Sequence, residues 1–435
     1  MAHNTESAGG GRTSRRCHGE IAPFIFHPPL SCTIVNAPSP RRSFATVDYA
    51  EAVRRAEALI PYLQREAGAG EQATHLPGHV LDVLHESGLL RSLQPKAWGG
   101  MELDFLAYFE IPEILGRGDA SAAWTFANLA SHHRSLAQWT MQAQEEVWGD
   151  NPDACIASGI AFAQGRGQRV DGGIRLTGQW GFSSGVDVSQ WNMLACVVMD
   201  GDKPVDWCMN VVPKSDYEVI DDWQTIGLRG SGSRTVRCKD VFVPAHRVLS
   251  MHVHRPGHEY PGLNTHTNPT FKVPSQALGA YCIGGALLGN AQSALDATIE
   301  AVKSRSTSYT SAKMRDFQTV QLRIGMAGAK IHAIRHLFRA NCIEAFERYR
   351  ANGVLTLDEK LRHKRDAAMG MKIVHEAVDS LYEMAGANGI YDNVPMQRIF
   401  RDAHAGAAHF SFSVDAQVTP WALATLGGEV KSPTL

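Results

Sequence analysis

The segment Gly386-Ala-Asn-Gly-Ile-Tyr-Asp-Asn-Val-Pro-Met-Gln-Arg-Ile-Phe-Arg-Asp-Ala403 decides the fold of this 435-residue chain. Gly386 and Gly389 interrupt helical sequence, and a new helix is predicted from Pro395 onward, because proline is well suited to the first turn of a helix. The segment closes on an Arg401-Asp402 pair. Glycines, proline and a charged pair at such fixed spacing form a specific pattern.

Helical sequence extends outward from this segment. Apolar residues recur in steps of three and four over 320–345, which predicts a long amphipathic helix, and a second long helix is expected over 357–385. At the other end of the chain, Ala/Leu/Glu-rich runs at 49–67 and 76–90 predict further helices, each closed by a glycine. Long apolar helices of this kind pack best against a copy of themselves.

The middle of the chain has a different pattern. Residues 169–176 carry a central Gly-Gly, Asp200-Gly201 follows an apolar run, and a Val/Phe-rich run ends at Pro244, all of which are typical of strands and turns. We therefore predict an α+β protein in three parts after a leader. The predicted boundaries are an N-terminal helical domain at 46–152, a middle β-barrel or sandwich domain at 153–250, and a helical oligomerisation domain at 251–435.

Composition excludes several classes of function. A net charge of −2 with interspersed signs gives no reason to expect nucleic acid as a partner. No apolar run reaches the roughly 20 residues needed to span a bilayer, so no membrane contact is expected. The eight cysteines are scattered without a CxxC pair, which predicts reduced thiols in an intracellular, cytoplasmic protein.

Residues 1–45 are rich in Gly, Pro, Ser and Arg, and we predict a disordered leader. An organelle transit peptide and an upstream start codon that adds residues without function both fit this composition.

Three further segments join the Gly386 segment in resembling the acyl-CoA dehydrogenase superfamily. They are Gly178-Gln-Trp-Gly-Phe-Ser-Ser-Gly185, Gly227-Leu-Arg-Gly-Ser-Gly-Ser233 and Val241-Phe-Val-Pro244. Together the matches cover roughly residues 48–420. The resemblance implies a helical domain, a β-domain and a C-terminal four-helix bundle, assembled as a homotetramer built from two dimers.

The position of the dehydrogenase base is altered in this sequence. In most of that superfamily a Glu lies nine residues after the arginine of the Arg-Asp pair, but here that position is Phe410, preceded by His409. Some members carry the Glu after the β-domain instead, yet no Asp or Glu occurs between Glu259 and Asp296. Desaturation requires a carboxylate to remove a proton, so its usual base is missing.

The segment from Arg401 to His409 resembles the flavin-dependent aromatic monooxygenases of the same superfamily, which are the oxygenase components of two-component (group D) systems. So do Trp180-Gly-Phe-Ser-Ser-Gly-Val-Asp-Val-Ser-Gln-Trp191 and Leu93-Gln-Pro-Lys-Ala-Trp-Gly-Gly100. Phenol hydroxylases that act on 4-hydroxyphenylacetate, and the 3-hydroxylases of steroid catabolism, are similar.

This resemblance implies the cofactors and partners. Reduced FMN or FAD reacts with O2 to form a C(4a)-hydroperoxide, which hydroxylates a phenolic or related aromatic substrate. No GxGxxG follows a strand, so the flavin is expected to arrive already reduced by a separate NAD(P)H:flavin reductase. N- or S-oxygenation, a desaturase with another base, and a non-catalytic scaffold remain alternatives.

The resemblance also implies catalytic residues. Ser183 matches the position that hydrogen-bonds flavin N(5), and a histidine near the peroxide is expected at His409, or else at His404. A second histidine, which binds or deprotonates the substrate hydroxyl, comes from the adjacent pair His132 and His133. Neighbouring residues on a helix point about 100° apart, so only one faces the flavin, and we expect it to be His132.

Flavin binding is expected from backbone at the glycines, from side chains of the β-domain and from the start of a long helix across a subunit interface. The positions implied are Ser158, Trp180, Phe182, Ser183, Ser184, Arg229, Arg305, Gln318, Gly386 and Gly389. No metal site is expected. The loop histidines His252, His254 and His258 lack a cysteine partner, so a solvated or substrate-gating loop is the expectation there.

Overall fold

The computed structural model describes residues 42–251, 260–307 and 310–430. The predictions for residues 1–41, and those for His252, His254 and His258, lie outside the described residues. None of the helices in these three ranges is long and apolar enough to cross a membrane.

The first part of the chain is helical, as predicted. Helix α1 begins after Asp48, whose side chain accepts a hydrogen bond from the backbone N–H of Glu51 at 2.8 Å. It does not end near residue 67 but continues through Gly68 and Gly70, because a single glycine costs a helix only about 1 kcal/mol. The helices are α1 (Tyr49–Ala73), α2 (Gly78–Ser87), α3 (Ala107–Gly116), α4 (Ala120–Leu136) and α5 (Met141–Trp148).

The middle part forms one hydrogen-bonded sheet in the order β6-β7-β3-β2-β4-β5-β8, with β1 parallel to β4. The turn between β2 and β3 lies at Gly172, with φ +75°, where the Gly-Gly pair predicted it. The strands are β1 (Ile156–Gly159), β2 (Gly165–Val170), β3 (Gly173–Ser183), β4 (Trp191–Asp200), β5 (Lys203–Pro213), β6 (Glu218–Ile220), β7 (Arg234–Pro244) and β8 (Val248–Ser250).

The last part is a helical bundle. Its elements are α6 (Ser275–Leu278), α7 (Ala280–Ser304), α8 (Gln318–Arg350), α9 (Leu357–Ala385), α10 (Pro395–Ala407) and α11 (Val414–Thr425). The predicted apolar stripe of α8 is confirmed, since Ile331, Phe338 and Cys342 are fully buried. Helix α9 spans the predicted residues, and α10 starts at Pro395 as expected.

Helix α7 joins the bundle to the first part of the chain. A Cβ atom at Gly289 would lie 2.1 Å from the carbonyl oxygen of Glu113, so only glycine lets α7 approach α3 so closely. Helix α10 packs against α7 and α9, and Asn290 of α7 donates a hydrogen bond to the carbonyl of Ile399 at 2.9 Å. This packing places the end of α10 beside α4.

Candidate active site

Helix α4 presents three residues on one face toward the sheet and α10. Trp124, Asn128 and His132 are spaced four residues apart, so they follow one side of the helix over about 12 Å. Trp124 and His132 are buried, whereas Asn128 is only half-buried although both its neighbours are buried. The Asn128 side chain donates to the carbonyl of Trp124 at 2.8 Å. This face is the first wall of the candidate site.

The ring of His132 is fixed in one tautomer. Its Nδ1 lies 2.6 Å from the carbonyl oxygen of Ile156 in β1, and a carbonyl only accepts, so Nδ1 carries the hydrogen. Nε2 is then left as a hydrogen-bond acceptor. Burial lowers the pKa of His132 to about 4, which the bond to Ile156 opposes only in part. The imidazole is therefore neutral at physiological pH.

The adjacent His133 belongs to the core. It is fully buried, its ring stacks on Trp148 at 5.7 Å between centroids, and its Nδ1 lies 3.5 Å from Nε2 of Gln94. Burial, with the charge of Arg91 added, lowers its pKa to about 3. Of these two adjacent histidines, His132 lies on the same face of α4 as Trp124, and His133 does not.

His409 has the opposite tautomer. Its Nδ1 accepts a hydrogen bond from the backbone N–H of Ser411 at 3.1 Å, so the ring hydrogen is on Nε2. Burial lowers the pKa of His409 to about 4, and this ring too is neutral at physiological pH. Its centroid lies 5.8 Å from the ring of Trp124, in an edge-to-face arrangement, and 5.9 Å from that of Phe412. The segment after α10 thus forms the second wall.

A bulge at the end of β3 forms the third wall. The register with β7 shifts between Trp180 and Ser183, and Phe182 takes a φ of +62°, which is unusual for a bulky residue. Phe182 is 77% exposed and meets Trp223 edge to face at 6.1 Å. Strained backbone of this kind tends to occur at functional sites.

The bulge gives its two serines different surroundings. The hydroxyl of Ser183 is fully buried and accepts a hydrogen bond from Nδ2 of Asn192 at 3.0 Å. The hydroxyl of Ser184 accepts from Nε1 of Trp124 at 3.1 Å and lies 2.8 Å from that of Ser233. Ser184 is therefore connected, through Trp124, to His409.

The structure places two residues of this strand for which flavin contacts are expected. Ser183 is expected to hydrogen-bond the flavin; in the structure its hydroxyl accepts from Asn192, while the hydroxyl of its neighbour Ser184 accepts from Trp124. Trp180 was expected to contact the flavin, yet its indole is fully buried in the sheet core and donates to the carbonyl of Ala195 at 2.8 Å. The alternation of side chains along β3, together with the bulge, determines which way Trp180 and Ser183 point. Sequence alone does not locate this bulge.

His404 does not join the other site residues. It lies on the side of α10 that packs against α9, where its Nε2 is 3.2 Å from Oδ1 of Asp379. Its ring also lies 4.2 Å from that of His375 and 4.0 Å from that of Phe400. The structure therefore brings His409, and not His404, next to Trp124, because the two side chains leave α10 and its end in different directions.

Two other predicted flavin contacts, Arg305 and Gly386, lie next to each other at the end of α9. Arg305, at the end of α7, donates to the carbonyls of Met384 and Ala385 at 3.2 and 3.1 Å, next to Gly386. Gly386 has φ +58° and ψ −149°, a region open in practice only to glycine. Gln318 is exposed at the first turn of α8. All thirteen residues of α10 lie between Gly386 and His409 in the chain.

Three other predicted contacts can be placed. Ser158 is half-buried in β1, two residues beyond the carbonyl that holds His132. Gly389 is buried in the turn that leads to α10. Arg229 donates to the carbonyls of Thr225 at 3.0 Å and Glu71 at 3.5 Å, so its guanidinium ties the loop to α1.

Two buried acids near the site, Asp119 and Asp402, are not predicted from the sequence as a pair. Asp119 caps α4 by accepting from the N–H of Ala122 at 3.0 Å, and Asp402 accepts from the N–H of Leu228 at 2.6 Å. Burial, strengthened by the charge of Asp119, raises the pKa of Asp402 to about 7. Two sequence features mark these residues, namely the helix-capping position of Asp119 and the Arg401-Asp402 pair. The sequence does not show that the two acids are close, because their proximity depends on the packing of α4 against α10.

The position of the dehydrogenase carboxylate contains a phenyl ring. Phe410 is 71% exposed, and its backbone carbonyl accepts from Nε2 of Gln417 at 3.1 Å. Phe412, which contacts His409, and Ser184, which contacts Trp124, are both uncharged. The arrangement offers one hydrogen-bond donor at His409 and one acceptor at His132, together with the Ser184 hydroxyl.

Comparison with known proteins shows the family to which the chain belongs. Residues 49–149 match the family model "Acyl-CoA dehydrogenase, N-terminal domain", and residues 281–414 match "Acyl-CoA dehydrogenase, C-terminal domain". The oxygenase subunit HsaA of a flavin-dependent monooxygenase from Rhodococcus jostii is 34% identical over 82% of this chain and 93% of its own length. The oxygenase component of p-hydroxyphenylacetate 3-hydroxylase from Acinetobacter baumannii is 30% identical over 84% of this chain and 87% of its own.

Solved structures extend the similarity. The 3-HSA hydroxylase from Rhodococcus sp. RHA1 superposes with a TM-score of 0.84 at 32% identity, covering 88% of this chain and 99% of that one. XiaF from a Streptomyces species, solved with FADH2 and glycerol, gives 0.83 at 28% identity over 89% and 97% of the two chains. The chain therefore belongs to the acyl-CoA dehydrogenase family and, within it, to the oxygenase components of flavin-dependent monooxygenases.

Proposed function

We propose that this protein hydroxylates a phenol or a related aromatic ring, using O2 and a flavin reduced by a separate NAD(P)H:flavin reductase. The observation that carries the proposal is the pair of fixed, opposite tautomers at His132 and His409. One ring accepts a hydrogen bond and the other donates one. A hydroxylase needs an acceptor for the substrate hydroxyl and a donor for the activated oxygen.

His132 is proposed to bind the substrate through Nε2. A phenol has a pKa near 10, whereas that of His132 is lowered to about 4, so the proton stays largely on the phenol. The hydrogen bond still polarises the O–H bond and makes the ring more electron-rich. The half-buried Ser158, further along the strand that positions His132, is a second candidate for substrate contact.

The residues at the β3 bulge fit a flavin ring. Ser184 offers a hydroxyl, Phe182 offers an exposed aromatic face, and Trp124 lies between Ser184 and His409. When bound there, reduced flavin supplies the two electrons that activate O2. Ser184 would hold the N(5) edge of the ring, and Nε2–H of His409 would hold the proton nearest to the bound oxygen.

A homotetramer of two dimers is proposed as the assembly. Arg305 and Gly386 lie together at the end of α9, and Gln318 lies in the first turn of α8. The 13 residues of α10, which span about 20 Å of helix, lie between Gly386 and His409 in the chain. Arg305, Gln318 and Gly386 would contact the flavin of a neighbouring subunit, so that each site is completed by two chains. This arrangement is compatible with FMN and with FAD, and we expect the protein to act in the cytoplasm.

The test supplies the full chain with FMN or FAD, a general flavin reductase, NADH and O2. The substrates are a panel of phenols, each paired with its methyl ether, which lacks the hydroxyl that His132 would bind. We expect a hydroxylated product with oxygen from O2 only from the phenol, while the ether yields hydrogen peroxide. Equal turnover of phenol and ether would reject the role of His132.

Two further measurements address the alternatives. Reduction of the bound flavin by an acyl-CoA would favour a desaturase over a hydroxylase. An aromatic thioether in the same panel tests sulfur oxidation, which requires no hydrogen-bond donor on the substrate. Light scattering of the purified protein checks the expected homotetramer.

A further inference from the structure

A cluster of two histidines and one aspartate joins α9 to α10 outside the site described above. His375 and Asp379 lie one helical turn apart on α9, and His404 faces them from α10. One potential ligand atom from each residue lies within 4.8 Å of the others. Two residues at i and i+4 on a helix, plus a third from a neighbouring element, is a common way to bind a metal ion.

The distances within the cluster are close to those of a metal site. Nε2 of His404 is 3.2 Å from Oδ1 of Asp379, and Nε2 of His375 is 3.7 Å from Oδ2. In a tetrahedral site with bonds of about 2.0–2.1 Å, neighbouring ligand atoms lie about 3.3 Å apart. The two imidazole rings are nearly perpendicular, at 85°, with centroids 4.2 Å apart. Small side-chain movements would bring all three ligand atoms to bonding distance.

A second observation points to a shared cation. Oδ1 of Asp379 and Nε2 of His404 are both shielded from solvent and face each other at 3.2 Å, and among the described residues neither atom has another hydrogen-bond partner. When no proton lies between them, both atoms are hydrogen-bond acceptors, and two acceptors buried face to face are costly. A positive ion between them would satisfy both.

We propose that His375, Asp379 and His404 form a binding site for a divalent transition-metal ion of the zinc type. Two imidazoles and one carboxylate suit such an ion, whereas Mg²⁺ and Ca²⁺ prefer oxygen ligands alone. The side chains are 24%, 41% and 33% exposed, so an ion can enter from solution and a water molecule can complete the coordination.

The site connects to the rest of the molecule through α10. This helix carries Asp402, which binds the loop at Leu228, and leads directly to His409. The wall behind His404 is aromatic, because Phe400 stacks on Tyr382 at 4.1 Å. A bound ion would link α9 to α10 and hold the segment that contains His409 in place.

The experiment uses the full chain without a histidine tag, treated with a chelator and dialysed. Zn²⁺ is titrated by calorimetry and Co²⁺ by its visible ligand-field absorption, and thermal unfolding is recorded with and without Zn²⁺. We expect one equivalent of each ion to bind and Zn²⁺ to raise the unfolding temperature. Asp379→Asn and His375→Gln should each weaken binding at least about 100-fold, since loss of an outer partner alone costs 10–100-fold.

The matched control is the double variant His332→Ala with His336→Ala. These two exposed histidines also lie one turn apart on a helix, with ring centroids 4.3 Å apart, but they face no third ligand in the described structure. The control should bind Zn²⁺ as tightly as the unaltered chain. The proposal is overturned if the unaltered chain binds no ion, which would leave only a His404–Asp379 ion pair. It is overturned equally if Asp379→Asn binds as tightly, or if the control loses binding.

Discussion

Histidines occur in two contrasting regions of this molecule, one between α4 and the end of α10 and the other between α9 and α10. In the first region, His132 and His409 are shielded from water, their pKa values are lowered to about 4, and each ring is held by one backbone hydrogen bond. In the second, His375 and His404 are partly exposed and share the carboxylate of Asp379.

The difference shows how surroundings assign roles to one residue type. Burial without a carboxylate keeps an imidazole neutral and makes it a directional hydrogen-bonding group. A carboxylate beside partly exposed imidazoles creates a site that attracts cations. His404 lies on α10 and His409 lies in the segment directly after it, so this one helix positions a residue in each region.

Replacement of His132 by Asn should have the largest effect. Asn can still donate to the carbonyl of Ile156 but presents no acceptor where Nε2 was, so kcat/KM for a phenol should fall about 10²–10³-fold. His132→Gln, whose side-chain oxygen reaches further, should recover part of the loss. Steady-state product formation measures both. Equal losses in the two variants would indicate a structural role for His132.

His409→Asn should uncouple the reaction. The Asn oxygen can still accept from the N–H of Ser411, but the Nε2–H donor is lost. We expect hydroxylated product per NADH to fall about tenfold to a hundredfold while hydrogen peroxide rises by the corresponding amount. His336→Asn, at an exposed position on α8, is the control and should leave this ratio unchanged. Unaltered coupling in His409→Asn would exclude the proposed donor.

Asp402→Asn should change the pH dependence of stability. The pKa of Asp402 is raised to about 7 in the folded protein, above its unfolded value near 3.9, so its contribution to stability is fully present below pH 4 and is lost as pH rises through 7. Asn keeps an acceptor for Leu228 N–H without acquiring charge. From pH 5 to pH 8 the unaltered chain should lose about 3 kcal/mol of stability through this group, and the variant should not lose it. Urea unfolding at both pH values measures this, and a loss at pH 8 would contradict it.

The two serines of the β3 bulge should respond differently to Ala. Ser183→Ala leaves the buried Asn192 side chain without its acceptor and should cost about 1 kcal/mol of stability, with coupling intact. Ser184→Ala removes the hydroxyl at the site and should lower coupling a few-fold. Urea unfolding and peroxide release distinguish the two. If Ser183→Ala lowered coupling and Ser184→Ala did not, Ser183 would be the serine that contacts the flavin.

The sequence by itself determined the order of the parts and most helix positions. The 357–385 helix, the start at Pro395 and the hairpin at Gly172 follow from local patterns, because periodicity, proline and glycine act over a few residues. The family segments also indicated which histidines to consider, since their spacing is read along the chain.

The tertiary structure decided how those residues are used. The bulge in β3 turned Ser183 inward and Ser184 toward Trp124, the packing of α10 on α9 moved His404 to Asp379, and the contact of α4 with α10 paired Asp119 with Asp402. Each outcome depends on residues far apart in the chain. Burial and neighbouring charge, which set tautomer and pKa, exist only once those elements have packed.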